Sequence, residues 1–208
     1  GVTAISANDI WAVGSDTSIT LAEHWNGTAW SIVPTPNGSS GISNLQAVAA
    51  LSSTNVMAVG FTNSGENATL AEQWNGTNWS IVPSPNPTTT NNNVLYAISA
   101  VPGTQTYIAA GTAAAEGGIA TRGVTRPSNH GGPYISIPTS KTLVESWNGA
   151  SWSLLSTPNL SLSGNGLNSI AAASATTIWA VGAYQASASG STLIMRSISN
   201  GMEIACTR

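Results

Sequence analysis

The sequence predicts an all-β fold built from four copies of one four-stranded antiparallel unit. An eleven-residue segment is repeated at residues 20–30, 69–79 and 142–152, and a divergent copy lies between residues 192 and 201. An Asn-Gly pair in each clear copy favours a hairpin, because both residues tolerate positive φ. No stretch of useful length has the apolar period of a helix. A repeat of this size indicates one supersecondary unit used four times.

Each unit is expected to contain four strands, and the second unit shows them most clearly, at residues 45–50, 56–60, 69–74 and 79–82. Pro83 then ends the fourth strand, because proline cannot continue a central strand. Four strands in about 50 residues are typical of a β-propeller blade. We therefore predict one domain over residues 1–208, a β-propeller of four four-stranded antiparallel blades at 1–44, 45–94, 95–166 and 167–208.

The third strand of each unit carries an alternating pattern. Leu21, Glu23 and Trp25 share one face of that strand, and Ala22 and His24 share the other. Because Glu recurs beside Leu and Trp in three copies, we expect a partly buried carboxylate that accepts hydrogen bonds from backbone or tryptophan N–H groups. His24 has no counterpart in the other copies and is expected on an exposed face.

Tryptophan is the most prominent repeated apolar residue, and the chain contains eight. Each buries a large area when it is packed, so we expect the tryptophans mainly between neighbouring blades. In the fourth unit Met195 replaces the Glu, and Ser199 and Ile204 stand where tryptophans are expected. Terminal repeats commonly diverge because they meet a different neighbour.

A further set of repeated residues points to a known class of blade. A glycine ends the second strand of every unit, at Gly14, Gly60, Gly111 and Gly182. In three units a Glu-x-Trp strand follows, with its Glu at Glu23, Glu72 and Glu145 and its Trp at Trp25, Trp74 and Trp147. A tight turn then leads to a second tryptophan, at Trp30, Trp79 and Trp152. This pattern resembles kelch and galactose-oxidase-type propellers, and most closely the Trp-Asn-Gly repeats of secreted bacterial proteins. The Gly-Gly pair of kelch blades is Val-Gly or Ala-Gly here, and kelch-like rings commonly have more than four blades. The resemblance implies a propeller and leaves the ligand open, since propellers host enzymes, lectins and scaffolds.

The amino-acid composition of the chain, above all its few charged residues, excludes some classes of function. Charged residues make up 6% of the chain, against about 25% in an average protein. Five Lys and Arg in all cannot form the basic stripe that nucleic-acid binding requires. A surface of Ser, Thr, Asn and Gln favours an extracellular or cell-surface location. No apolar run reaches the roughly 18 residues of a membrane span, so no transmembrane segment is predicted.

The third unit contains a long insertion, over residues 113–141. Trp147 follows Gly111 by 36 residues, whereas Trp74 follows Gly60 by 14. In a propeller this loop would share one face with the loops between blades, which predicts a ligand-binding face. A packing or assembly contact and a mobile loop are the alternative interpretations. The candidate ligand-binding residues are Arg122, Arg126, His130, Tyr134 and Lys141, with Asp16 and Glu66 from the corresponding loops.

The sequence predicts no catalytic, metal or cofactor site. His130 has no second His or Cys at metal-ligand spacing. A carboxylate pair for glycoside cleavage would have to come from scattered acids such as Asp16, Glu66 and Glu116. Cys206 is the only cysteine, so an internal disulfide is excluded.

Two architectures and three functions are open on the sequence alone. The chain is a self-contained four-bladed ring or one unit of a larger propeller or assembly, since exposed edges and repeated apolar faces favour self-association. Its composition favours an extracellular, non-enzymatic binding or adhesion module for a glycan or protein ligand. A structural subunit of a cell-surface layer or filament is the alternative, and a glycan-active hydrolase or lyase is a second one.

Overall fold

The structure, a computed structural model, describes residues 1–38, 41–87, 92–114, 140–160, 164–185 and 190–207. These residues form sixteen β-strands and no helix, arranged as four separate four-stranded sheets. Within each sheet the strands are antiparallel and follow one another in chain order. In the described part of the chain, no helix has the length and apolar character needed to cross a membrane.

The four sheets follow one another along the chain. The first contains β1 (Val2–Ser6), β2 (Asp9–Asp16), β3 (Ile19–Trp25) and β4 (Trp30–Val33). The second contains β5 (Ile42–Ser52), β6 (Asn55–Asn63), β7 (Asn67–Trp74) and β8 (Trp79–Ile81). The third contains β9 (Asn93–Ala100), β10 (Tyr107–Ala114), β11 (Ser140–Trp147) and β12 (Trp152–Leu154). The fourth contains β13 (Asn165–Ser174), β14 (Thr177–Gln185), β15 (Gly190–Ile198) and β16 (Gly201–Thr207).

The prediction of an all-β chain with four four-stranded antiparallel units is confirmed. The strands expected in the second unit all fall within β5 to β8, except that Val82 lies just beyond β8. The insertion predicted at 113–141 begins inside β10 and ends inside β11. Its residues 115–139 lie outside the described residues.

The Asn-Gly turns between the third and fourth strands are closed by the asparagine side chain. Oδ1 of Asn75 accepts hydrogen bonds from the N–H groups of Thr77 and Asn78 at 2.9 and 3.0 Å. Gly76 has a φ of 96°, a conformation that side chains rarely adopt. Of the two turn residues, therefore, only the glycine uses the positive φ on which the hairpin prediction was based. The turns at residues 26–29 and 148–151 repeat these contacts.

The glycine near the end of the second strand lets the first strand of the same sheet approach closely. A Cβ atom added to Gly111 would lie 1.9 Å from the carbonyl oxygen of Val94. Gly60 and Gly182 are equally close to a carbonyl oxygen of their own first strands. Those first strands are bulged at this point. Because none of these three glycines has a positive φ, the glycine is needed here for space.

Each sheet packs face to face against the next sheet in sequence. Three apolar clusters fill these interfaces: Trp11, Leu45 and Trp79 between the first and second sheets, Met57, Leu95 and Trp147 between the second and third, and Ile108, Leu167 and Met195 between the third and fourth. The described residues form no such cluster between the fourth sheet and the first. Among the described residues the four sheets therefore form an open series, in which each sheet packs on the next.

The open ends explain why the tryptophans differ in burial. Trp11 and Trp79, which lie between sheets, are 1% and 4% exposed. Trp30 and Trp179 lie on the outer faces of the first and last sheets, and they are 46% and 43% exposed. The expectation that tryptophans pack between blades therefore fails for these two and for Trp25, which pairs with Trp30 on the outer face of the first sheet.

The strand register corrects the alignment of the divergent fourth unit. The positions held by the paired tryptophans of the other sheets are occupied by Ser197 and Met202, not by Ser199 and Ile204. Met195 does stand at the Glu position, as expected. The prediction was wrong because it placed the tryptophan positions relative to the Asn-Gly pair. That pair lies two residues later in this hairpin than in the others, so the predicted positions were shifted.

Tyr107 bonds the third sheet to the second. Its side chain is buried, and its hydroxyl donates to the carbonyl oxygen of Asn55 at 2.7 Å and accepts from the N–H of Leu51 at 3.2 Å. Tyr107→Phe is expected to lower the free energy of unfolding by about 1–2 kcal/mol, because it leaves partly buried backbone groups without their partner. Tyr96→Phe is the control for chemical denaturation, since the Tyr96 ring is 39% exposed. Equal losses in the two variants would contradict this role for Tyr107.

Candidate functional site

The last residues of β2, β6, β10 and β14 and the first residues of β5, β9 and β13 lie at one end of the sheets, which we call the insertion end. Hydrogen bonds join described residues at this end between consecutive sheets: Ser43 N–H to Ser18 O at 2.9 Å, Asn67 N–H to Asn92 Oδ1 at 3.2 Å, and Ser140 Oγ to Asn165 O at 3.0 Å. The sequence analysis expected the loops at these strand ends on one face, and the described strand ends share that end of the sheets.

A cleft of about 290 Å³ opens at the insertion end between the third and fourth sheets. Its lining residues are Thr112, Ser140, Gly164, Asn165, Gly166, Asn168, Ala183, Tyr184, Gln185 and Gly190. These described residues supply one aromatic ring, three amides and two aliphatic hydroxyls, with no carboxylate, amine or imidazole. Such a lining suits a neutral ligand that offers hydrogen-bonding groups and some apolar surface.

One wall of the cleft is held in place by Asn165, which is 2% exposed. Its backbone N–H donates to Ser140 Oγ at 3.1 Å, and its Nδ2 donates to Ser140 O at 3.2 Å. Its Oδ1 accepts the N–H of Leu160 at 3.0 Å. Asn165 therefore fastens the first strand of the fourth sheet to the first residue of β11, where the chain leaves the insertion.

Asn168 and Tyr184 provide the side chains best placed to contact a ligand. Asn168 is exposed and lies in the bulge of β13, between Leu167 and Ser169. A bulge removes its residue from the regular ladder. Tyr184 is half-buried and packs against the apolar cluster of the third and fourth sheets, so its ring is supported from behind. The cleft thus combines a supported aromatic ring with an exposed amide.

The structure describes three of the seven predicted site residues; the other four, Arg122, Arg126, His130 and Tyr134, lie outside the described residues. Asp16, Glu66 and Lys141 are exposed at the insertion end of the first, second and third sheets. Lys141 borders a smaller cleft of about 180 Å³ together with Pro87 and Leu155. None of the three lines the larger cleft, and neither ion pair among the described residues includes them.

Two of the three repeated glutamates lie buried between sheets, whereas Glu23 is half-buried on the outer face of the first sheet. Glu72 and Glu145 have no exposed surface. Glu145 Oε2 accepts a hydrogen bond from Ser84 Oγ at 2.6 Å, while its other oxygen and both oxygens of Glu72 have no partner among the described residues. The expectation of bonds from backbone or tryptophan N–H groups is therefore wrong for these two carboxyls.

The protonation of these two groups follows from their burial. Burial raises the pKa of both carboxyls to about 8, and the hydrogen bond from the Ser84 hydroxyl acts in the opposite direction on the pKa of Glu145. At neutral pH the protonated form therefore predominates, and a neutral carboxyl costs much less to bury than a carboxylate. Their location between packed sheets indicates a structural role.

His24 is half-buried, which corrects the expectation of an exposed face. Its Nε2 lies 2.8 Å from Asp9 Oδ1, and its ring lies on Trp11 with centroids 4.5 Å apart. The prediction was wrong because this face of the first sheet packs against the second sheet. In the described ranges no group of three or more His, Cys, Asp or Glu side chains could hold a metal ion.

The fold and the cleft define a class: an all-β chain of four antiparallel sheets packed in series, with a neutral polar cleft at the end of two of them. No family model matches the sequence, and no curated protein matches it significantly.

Sequence reasoning missed Asn168 and Tyr184, although both carried a signal. Tyr184 follows the repeated Gly182 by two residues, which places it at the insertion end of β14. Asn168 occupies the bulge position that Gln46 and Tyr96 occupy in other sheets. The sequence did not reveal the cleft beside them, because residues far apart in the chain form its two walls.

Proposed function

We propose that the chain is a β-propeller-type binding module that holds a neutral glycan in the cleft between the third and fourth sheets. The observation that carries the proposal is the lining, which sets the Tyr184 ring beside amide and hydroxyl groups without a charged side chain among the described lining residues. Sugar hydroxyls bond to amides and hydroxyls, and the C–H face of a sugar ring packs on an aromatic ring. Small-molecule sites begin at about 300 Å³, so the cleft suits one sugar ring.

The propeller class is supported by four meandering sheets packed in series with their first strands adjacent. The resemblance to kelch-type repeats supports the same class. Propellers commonly bind ligands with the loops at one end of their blades, which is where the cleft lies. An extracellular location is part of the proposal, and its support is the low charge of a surface rich in Ser, Thr and Asn.

Binding is preferred over hydrolysis because glycoside cleavage uses a pair of carboxyl groups. The described lining of the cleft contains no carboxyl group. The structural-subunit alternative has a separate observation in its favour, the exposed apolar side chains on the outer faces of the first and last sheets.

Tyr184→Leu is expected to weaken glycan binding about tenfold, which corresponds to the loss of roughly 1.4 kcal/mol of aromatic contact. Tyr184→Phe should bind within a few-fold of the parent, because it keeps the ring. Asn168→Ala should also weaken binding, since it removes an amide that lines the cleft. A glycan array identifies the ligand, and titration calorimetry with the free sugar then measures the affinities.

Tyr96→Leu is the matched control for this experiment. Tyr96 is also a partly exposed tyrosine at a strand bulge, but it does not line the cleft. Its substitution should leave binding unchanged. The proposal fails if no glycan on the array is bound, or if Tyr184→Leu binds as tightly as the parent.

A further inference from the structure

The interface between the first and second sheets is built around Trp11. This side chain is 1% exposed, and its ring centroid lies 4.9 Å from that of Trp74 and 5.2 Å from that of Trp79. Val13, two residues along the same strand, belongs to the same cluster. One sheet thus contributes a Trp-x-Val strand, and the next contributes the two tryptophans that flank an Asn-Gly turn.

The fourth sheet presents the first half of this interface again, on its outer face. Residues 178–182 repeat residues 10–14 letter for letter, as Ile-Trp-Ala-Val-Gly. Trp179 and Val181 nevertheless are 43% and 42% exposed. No other sheet among the described residues covers Trp179 and Val181, whereas the second sheet covers their counterparts Trp11 and Val13.

The first sheet presents the second half on its own outer face. Residues 20–30 repeat residues 69–79 at all but two positions. Trp30 is 46% exposed, whereas its counterpart Trp79 is 4% exposed. Val2, which shares this face, is 68% exposed. Large apolar side chains exposed on one face commonly mark an interaction site.

We propose that these two faces bind each other between copies of the chain, head to tail, with Trp179 of one copy packed against Trp25 and Trp30 of the next. The same two sequence elements already bind each other between the first and second sheets. The occupant is a second copy because one chain carries both halves of the interface at opposite ends. Its own first and last sheets share no apolar cluster among the described residues.

The charged side chains on the two faces are compatible with this contact. The face of the first sheet carries Glu23, and its counterpart Glu72 is already buried in the interface between the first and second sheets. Arg196 lies across from Trp179 in the ladder and pairs with Glu203 at 2.6 Å. The two charged groups on the face of the fourth sheet, Arg196 and Glu203, are therefore paired with each other. Burying such a pair avoids the cost of burying an isolated charge. With 6% charged residues in the whole chain, long-range repulsion between copies is weak.

The proposed contact joins two different surfaces, so a pair of copies still has one free face at each end unless the ring closes. Association can therefore continue beyond a single pair. The contact involves neither the insertion end nor the cleft, and its test requires no glycan. Failure of the glycan proposal and failure of this one are therefore separate results.

Sedimentation velocity of the 208-residue chain over a micromolar concentration series tests the proposal. The parent chain is expected to associate as its concentration rises. Trp179→Lys removes one face and Trp30→Lys removes the other, and each should raise the dissociation constant about 30-fold or more, as expected for a buried tryptophan at an interface. Both side chains are exposed in the single chain, and circular dichroism checks that both variants keep the parent fold.

Mixing the two variants gives the sharper result. Trp30→Lys keeps the face of its fourth sheet and Trp179→Lys keeps the face of its first sheet, so the mixture should form a one-to-one dimer and nothing larger. Leu160→Lys is the control, since Leu160 is 44% exposed in a loop outside the strands, and it should associate like the parent. A parent chain that stays monomeric, variants that associate as the control does, or a mixture that stays monomeric would each overturn the proposal.

Discussion

Replacing Gly111 with alanine is expected to lower the free energy of unfolding by about 3 kcal/mol, at the upper end for overpacking a close-packed interior. The added Cβ would lie 1.9 Å from the carbonyl oxygen of Val94 and 2.9 Å from Cα of Leu95. Both atoms belong to the backbone of β9, which cannot rotate away as a side chain can. The strand would have to move, and it carries part of the core between the second and third sheets.

Gly14→Ala is the matched control, because Gly14 holds the same position in the first sheet and has nothing within 4 Å of an added Cβ. Its effect is expected to stay within about 0.5 kcal/mol. Urea denaturation followed by tryptophan fluorescence measures both changes. Similar losses in the two variants would show that glycine is needed for a reason other than contact with the first strand.

The second large effect is a fall in stability as the pH rises from about 4.5 to about 8. Glu72 and Glu145 have an ordinary pKa of 4.5 in the unfolded chain, and burial raises it to about 8 in the fold. Within this window the folded chain holds protons that the unfolded chain has lost, so the free energy of unfolding decreases with pH. The decrease is at most about 1.4 kcal/mol per pH unit for each carboxyl. Below the window the stabilisation is complete, and above it the stabilisation is lost.

The double variant Glu72→Gln, Glu145→Gln is expected to remove most of this pH slope, because an amide of similar shape does not ionise. Glu66→Gln, which removes an exposed carboxyl, is the control and should keep the slope. Denaturation at a series of pH values between 4 and 9 measures the slopes. A parent chain whose stability is constant or rises over this window would contradict the assignment of the two buried carboxyls.

The local parts of the fold were predictable because they depend on residues close in sequence. An asparagine that bonds two N–H groups of its own turn, followed by a glycine at positive φ, is enough to place each hairpin. The prediction for the fourth unit was wrong by two residues, because the Asn-Gly pair moved within the hairpin while the strand pairing did not. In the fourth unit the strand register depends on side-chain packing, and a local motif such as Asn-Gly does not determine that packing.

The candidate site was predicted less completely than the fold. Sequence reasoning selected the insertion end, and the cleft lies there. It did not select Asn168 and Tyr184, which line the cleft. The charged side chains it selected within residues 115–139 lie outside the described residues, so their role stays a prediction. Sequence reasoning selected residues on the long insertion and the corresponding loops, whereas the cleft walls combine residues that are distant in the chain.

The sequence by itself determined the repeating unit, its four strands and the turn that joins the last two. Only the tertiary structure decided in which copies of that unit the apolar face is covered by a neighbouring sheet. The pentapeptide Ile-Trp-Ala-Val-Gly occurs twice, yet its tryptophan is 1% exposed at Trp11 and 43% exposed at Trp179. The physical reason is that hydrogen bonding and side-chain alternation are encoded within a strand and its turn, whereas burial requires a neighbouring sheet. Trp11 has that neighbour in the second sheet, and among the described residues Trp179 has none.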